Sequence, residues 1–192
     1  MDTTLIVFIV IAVVLIVLIG VIIGLYNGLV SLNERVDEAW SDITIQLKRR
    51  ADLIPNLVET VKGYTKHESE AIKQVSEARA KMMGARSVAS TAEADKSFLG
   101  ALSRIMAISE SYPELKADKN FQQLTNELSD TEDKIQAARR FYNAGAKELN
   151  IKIKTFPSNL INKMFGHFKK REYYEVDETE KAEINKAPSV KF

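Results

Sequence analysis

An uncharged apolar run near the N-terminus constrains this chain more than any other feature. The run from Leu5 to Leu25 is 21 residues long and consists almost wholly of Ile, Val and Leu. As a helix it would be about 31 Å long, which matches a hydrocarbon core of roughly 30 Å. The run therefore predicts a transmembrane helix over residues 5–26, preceded by a short tail over residues 1–4.

A removable signal peptide is the main alternative for such a segment. The preceding residues MDTT contain an acid and no Lys or Arg, and no A-x-A cleavage site follows the long apolar run. We therefore expect a permanent single-pass anchor in the cell membrane. The first basic residue after the span is Arg35, so the charge bias favours a cytoplasmic C-terminal domain by only a small margin.

Three glycines at the end of the run are spaced four residues apart, at Gly20, Gly24 and Gly28. Residues with this spacing share one helical face, and small residues let membrane helices approach closely. Simple lipid contact is the alternative, because glycine is frequent in membrane helices. We predict that these glycines pack against a second copy of the chain in a homo-oligomer.

Residues 27–168 carry the apolar periodicity of long helices. Apolar residues from Leu29 onward recur every three or four positions, and their seven-residue register continues across Pro55 to about Met82. This predicts one long helix kinked at Pro55, with a break there as the alternative. Asn56 and Asn143 are candidates to satisfy the backbone groups that the proline would free.

Two further helices follow. Ser90 and Glu93 have the spacing of a capping box, so a second helix is predicted to start there and to end before Pro113. Asp118 can cap a third helix with a heptad seam. The seam consists of Phe121, Leu124, Leu128, Thr131, Ile135, Ala138, Tyr142, Gly145 and Leu149.

The expected fold is therefore all-α. A transmembrane helix continues into an antiparallel bundle of three long helices, or four if Pro55 divides the first, because no alternation of period two suggests strands. Residues 169–192 are rich in charges of both signs and poor in aliphatic side chains. They predict a disordered polar tail.

Enzymatic and cofactor chemistry finds little support in the sequence. The formal charge is only +1 and the chain has no cysteine, which argues against nucleic-acid binding and thiolate chemistry. His67 begins an H-E-x-x-H-like stretch, but Ala71 occupies the position of the second histidine, and His167 has no local ligand grouping. Neither a nucleophile elbow nor a phosphate loop is present. We predict a non-enzyme without metal or cofactor.

One basic cluster is a candidate partner surface. It comprises Lys48, Arg49 and Arg50, with Asn56 one to two turns further along. A solvated helix face with ion pairs is the alternative. Six aromatic residues at helical spacing are expected in the core, with a ligand cavity as the alternative. They are Trp40, Tyr64, Tyr112, Phe121, Phe141 and Tyr142.

Several stretches together resemble the bacterial LemA family. They are QLKRRADLIPNLVETVKGY at 46–64, YPELKA at 112–117, RRFYN at 139–143 and FP at 156–157, in family order with FKKREYYEV and APSVKF near the end. The resemblance covers nearly the whole chain. It implies a single-pass membrane protein with a helical bundle, no established catalytic residues and a poorly defined role, with one relative linked to organising intracellular membranes.

Two functions from different classes follow. The first is a membrane-anchored homo-oligomeric scaffold that self-associates through the anchor glycines and the bundle, with the lipid bilayer as its support. The second is an adaptor or regulator of another membrane protein, such as a membrane protease. An unrecognised enzyme is a third alternative, which a convergent polar pocket would indicate.

Overall fold

The computed structural model describes residues 3–65, 67–166 and 168–174. The regular structure in these ranges is entirely helical: α1 (Thr3–Tyr64), α2 (Ser69–Gly84), α3 (Val88–Ser111), α4 (Pro113–Ala117), α5 (Lys119–Lys152) and α6 (Ser158–Phe165). The predicted all-α class is confirmed. His167 and the predicted tail from 175 to 192 lie outside the described residues.

Helix α1 is a single helix of 62 residues. Its N-terminal part is exposed, and it is long and apolar enough to cross a membrane by length and composition. The predicted continuity from this segment into the domain is confirmed, and Pro55 lies inside the helix. The prediction that the helix reaches Met82 is wrong, because α1 ends at Tyr64 and α2 begins at Ser69.

The reversal after α1 has a physical cause. Gly63 and Thr65 are weak helix formers, and α2 must fold back to bury the apolar face formed by Val75, Ala78 and Met82. Antiparallel packing preserves a seven-residue register as well as a continuous helix does. The register that predicted continuity therefore could not distinguish the two arrangements.

Pro55 is accommodated by an arginine from α2. A proline cannot donate a hydrogen bond to the carbonyl four residues earlier, which here belongs to Ala51. The Nε of Arg79 donates to that carbonyl at 2.8 Å. Arg79 therefore satisfies the carbonyl freed by the proline.

The chain divides into two compact units. The first comprises Met1–Asp42 and Arg140–Arg171, and the second comprises Ile43–Arg139 and Glu172–Phe192. Buried apolar residues of the first unit are Leu29, Leu32, Val36, Ala39, Tyr142, Ala146, Leu149 and Ile161. Those of the second unit include Ile43, Leu47, Ile54, Leu57, Val61, Val75, Phe98, Ile105, Leu115, Phe121, Leu128 and Ile135.

Side chains define the starts of α3 and α5. The N-cap of α3 is Ser87, which forms a reciprocal capping box with Ser90, so the predicted start at Ser90 is three residues late. The prediction for Asp118 is correct, because its Oδ1 accepts the backbone N–H of Phe121 at 2.9 Å. This bond is the main cause that lowers the pKa of Asp118.

Of the six aromatic residues expected in the core, four are buried or half-buried: Trp40, Tyr112, Phe121 and Tyr142. Trp40 packs on Tyr142 with ring centroids 5.5 Å apart. Phe141 instead has 77% of its surface exposed, and Tyr64 is also exposed. Neither belongs to the heptad seam of α5, which is buried or half-buried along its length.

Candidate functional site

The second unit encloses a cluster of charged side chains. We call Arg50, Asp95, Glu132, Arg139 and Tyr174 the buried ionic network. Helix α1 supplies Arg50 and α3 supplies Asp95, which are 0% and 1% exposed. Helix α5 supplies Glu132 and Arg139, and Tyr174 comes from the extended stretch 168–174.

Asp95 is the centre of this network. Its carboxylate accepts hydrogen bonds from the Nη2 of Arg50 and the Nη2 of Arg139. The hydroxyl of Tyr174 donates to the Oδ2 of Asp95 at 2.7 Å. The Nη1 of Arg50 donates to Glu132 in addition. Each buried charge therefore has an opposite charge beside it, as burial of ions requires.

Aromatic rings cover both guanidinium groups. The Cζ of Arg50 lies 4.8 Å from the centroid of Phe98, and the Cζ of Arg139 lies 4.7 Å from that of Tyr174. A guanidinium at this distance is attracted by the ring face. The rings also take the place of water on these cations, which strengthens their attraction to Asp95.

Burial shapes the ionisation of the network. It lowers the pKa of Arg50, because it disfavours the charged form, while the negative charge of Glu132 opposes that effect. Burial raises the pKa of Tyr174, although the nearby positive charge of Arg139 opposes the change. Tyr174 therefore keeps the proton that it donates to Asp95 at neutral pH. The paired charges of the network connect α1, α3, α5 and the stretch that carries Tyr174.

The burial of Arg50 corrects the predicted partner surface. Arg50 cannot contact a partner, whereas Lys48, Arg49 and Asn56 are exposed and stay a prediction. The sequence contained a usable signal, because Arg50 lies seven residues after Ile43 and seven before Leu57, both buried on α1. Arginine at such a seam position indicates a buried ion pair, since Arg is rarely buried without a partner.

In the first unit, side chains gather beside the end of the apolar segment. We call this group the juxtamembrane cluster; it comprises Tyr26, Gly28, Lys152, Asn162 and Phe168. The rings of Tyr26 and Phe168 have centroids 6.2 Å apart. A Cβ on Gly28 would lie 3.5 Å from the Nζ of Lys152. The amide of Asn162 donates to the carbonyl of Phe168 at 3.1 Å and accepts its N–H at 3.2 Å.

A second asparagine holds the next part of the extended stretch. The Nδ2 of Asn150 donates to the carbonyl of Arg171 at 2.9 Å, and its Oδ1 accepts the N–H of Arg171 at 2.8 Å. The Arg171 guanidinium donates to Asn33 at 2.8 Å and to Asp37 at 2.9 Å. Arg171 belongs to the predicted tail, which starts at Lys169, and these bonds fix it against the helices. Amide-to-backbone contacts leave no periodic signal in a sequence.

The three predicted anchor glycines have different surroundings. A Cβ at Gly20 or Gly24 would meet nothing within 4 Å, whereas Gly28 lies against Lys152 of its own chain. Gly28 is therefore already contacted within the first unit. Packing of Gly20 and Gly24 against another helix stays a prediction.

His67 lies on the surface in the loop between α1 and α2. Its backbone N–H donates to the carboxylate of Glu68 at 2.9 Å, and the hydroxyl of Tyr112 donates to the same carboxylate at 2.6 Å. The bond from Tyr112 is the main cause that lowers the pKa of Glu68. Among the described residues, no three side chains of metal-binding type gather closely enough to hold an ion.

Comparisons with known proteins agree on one family. The model of the LemA family matches residues 39–192. Magnetosome protein MamQ 2 of Paramagnetospirillum magneticum is 27% identical over 176 residues, covering 78% of this chain and 64% of that protein. Magnetosome protein MamQ of Magnetospirillum gryphiswaldense is 26% identical over 175 residues, with the same coverage of 78% and 64%.

Protein LemA of Metamycoplasma hominis is 29% identical over 136 residues, covering 70% of this chain and 62% of that protein. The chain thus spans slightly less than two thirds of the length of these curated relatives. Three of the stretches that resemble the family supply Arg50, Arg139 and Tyr174 of the buried ionic network.

Proposed function

Given that the chain belongs to the LemA family, we propose that it is a non-enzymatic scaffold anchored in the bacterial cell membrane by a single span of α1. The observation that supports this proposal is the continuity of α1. The helix passes without interruption from an exposed apolar segment to residues buried in the first unit, such as Leu29 and Val36. The relatives, which include magnetosome proteins, are compatible with a membrane-associated protein.

The scaffold self-associates through the face that carries Gly20 and Gly24. Nothing lies within 4 Å of a Cβ at either position, so another helix can approach both backbones closely. Close packing of small residues drives helix association in lipid, where apolar surfaces gain little from leaving the solvent. The proposal uses Gly20 and Gly24 only, because Gly28 lies against Lys152 of its own chain.

The test is the mass of the full-length protein in mild detergent, measured by light scattering. We expect a defined oligomer for the wild type and a smaller species for Gly20→Ile/Gly24→Ile. The matched control is Val14→Ile/Val21→Ile, which adds bulk to the same exposed segment at about 60–120° around the helix from the glycines. A monomeric wild type, or equal masses for all three proteins, would contradict self-association through this face.

The sidedness of the anchor is a separate proposal: the domain that follows the apolar segment of α1 lies in the cytoplasm. The chain has no cysteine, so a single cysteine at the exposed Ile45 reports on its location. We expect a membrane-impermeant maleimide to label Ile45→Cys only after cells are broken. Labelling of intact cells would place the domain on the outer side.

The second candidate function is an adaptor for another membrane protein. It is favoured by the exposure of Lys48, Arg49 and Asn56 on α1, which can form a polar contact surface. In-cell crosslinking followed by purification should then recover a non-self membrane protein, with loss in Arg49→Glu/Asn56→Ala but not in the exposed control Lys62→Glu. Recovery of this chain alone would exclude the adaptor function.

A further inference from the structure

Apolar side chains of α6, and of Phe156 just before it, are exposed in the first unit. The exposed fractions are 74% for Phe156, 49% for Leu160, 70% for Met164 and 52% for Phe165. Leu160 and Met164 are four residues apart and share one side of α6, and Phe156 lies two residues before the helix begins. The residues of α6 that pack inward are Ser158 and Ile161, which are 5% and 7% exposed. Exposed aromatic and aliphatic side chains at this density mark an interaction surface.

The same helix lies beside the end of the apolar segment of α1. Asn162 of α6 holds the backbone of Phe168 through two hydrogen bonds, and the Phe168 ring packs on Tyr26. Tyr26 directly follows the run that ends at Leu25, where aromatic residues contact lipid headgroups. The C-terminal end of α5, which precedes α6, is also near the end of the apolar segment, because Lys152 lies against Gly28.

The chain segment around this face is predominantly basic. Residues 147–171 contain six lysines and one arginine but a single acidic residue, Glu148. Five of the lysines are exposed: Lys147, Lys154, Lys163, Lys169 and Lys170. Apolar side chains bordered by lysines are typical of helices that lie in the interface of an anionic membrane.

We infer that α6 and the preceding Phe156 lie in the interfacial layer of the bilayer that α1 spans, and that the surrounding lysines bind anionic phospholipid. Phe156, Leu160 and Met164 enter the boundary between headgroups and acyl chains, while Lys163, Lys169 and Lys170 contact lipid phosphates. The inference depends on the proposed anchoring of α1 and is independent of self-association.

A second copy of the chain is a poorer occupant of this face. A twofold contact would place the same patch opposite itself, so the lysines of both copies would face each other and repel. An anionic lipid surface provides opposite charge and an apolar layer at once. Both properties of the patch therefore match lipid.

The experiment uses the full-length protein in nanodiscs of phosphatidylglycerol and phosphatidylcholine. Single cysteines carrying bimane are placed at Leu160, at Ile16 within the apolar segment, and at Ile45. All three side chains are exposed, and Ile45 lies about 29 Å further along α1 than Tyr26. Lipids with a nitroxide on the acyl chain near the headgroup quench bimane at short range.

We expect quenching at Ile16→Cys and Leu160→Cys but not at Ile45→Cys. Quenching at Leu160→Cys should be lost in discs of phosphatidylcholine alone and in Lys163→Glu/Lys169→Glu/Lys170→Glu, while Ile16→Cys stays quenched in both. Quenching at Ile16→Cys with none at Leu160→Cys would overturn this inference and leave the anchor intact. No quenching at Ile16→Cys would overturn the anchoring itself.

A result in detergent gives an independent test of the second-copy alternative. When no bilayer is present, the accessibility of bimane at Leu160→Cys to an aqueous quencher should not change with protein concentration. Protection that increases with protein concentration would assign the face to another copy and overturn the inference.

Discussion

Substitution of Asp95 by asparagine is expected to destabilise the second unit severely. Asp95 is 1% exposed and accepts hydrogen bonds from Arg50, Arg139 and Tyr174. Asparagine keeps the shape of the side chain but removes its charge, and it turns one acceptor into a donor that faces other donors. Arg50 would keep only Glu132, which is 21% exposed, and the Arg139 guanidinium would lose its partner in Asp95.

The magnitude follows from the burial of the group. Removing one partner of a buried ion pair costs about 3–5 kcal/mol, because an uncompensated charge is left inside. A domain has about 5–15 kcal/mol of unfolding free energy in total. For a chain of this size, a loss of about 3–5 kcal/mol corresponds to a decrease in Tm of about 6–20 °C.

The assay is thermal and urea unfolding of the full-length protein in mild detergent, followed by circular dichroism at a helical wavelength. The matched control is Asp133→Asn, which makes the same chemical change at an exposed position of α5 and should change stability by no more than about 0.5 kcal/mol. A loss at Asp95→Asn as small as that of the control would refute the reasoning that the network contains desolvated charges.

Three further predictions use the same unfolding measurement. Arg79→Gln should lower the free energy of unfolding by about 1 kcal/mol, because the hydrogen bond to the Ala51 carbonyl is lost. The loss should be smaller in a Pro55→Ala background, where the backbone N–H of residue 55 can donate to that carbonyl instead. Equal losses in the two backgrounds would contradict this contact. Burial raises the pKa of Tyr174, so the protonated tyrosine stabilises the folded state. This contribution to the free energy of unfolding is complete below the unfolded pKa of about 10 and is lost as pH rises through the folded pKa. The stability of Tyr174→Phe should therefore fall less steeply than that of the wild type above about pH 10, and parallel curves would be evidence against this protonation. Ser87→Ala should lower the free energy of unfolding by about 1 kcal/mol, because α3 loses its N-cap. The control Ser97→Ala within the same helix should have a smaller effect. Equal effects would show that the cap is unimportant.

Local chemistry made much of the fold predictable. Pro113 ends α3 and Asp118 caps α5 because each acts on its own neighbours. The length of α1 was not predictable in the same way, since the seven-residue register continues from α1 into an antiparallel α2. Ser87 and Ser90 at the start of α3 illustrate a finer limit: either could cap a helix, and only the folded backbone selects Ser87.

The candidate site was harder to predict because it is assembled from distant residues. Arg50 was placed on the surface by its residue type, although its spacing from Ile43 and Leu57 indicated the buried face. Asp95 and Tyr174 are 79 residues apart in sequence, and no spacing rule connects them. The extended stretch is held by the side-chain amides of Asn150 and Asn162, whose backbone contacts do not depend on any hydrophobic pattern.

The position of Tyr174 along the chain also orders the events of biosynthesis. The ribosome makes Arg50 long before Asp95 or Glu132, so the guanidinium must stay hydrated while its partners are still to be synthesised. Tyr174 is the last member to emerge, and it completes the set of donors on Asp95. Such long-range contacts delay folding. The apolar segment of α1 can therefore enter a membrane while the second unit is still open, and the native ionic network closes only after the chain has grown past residue 174.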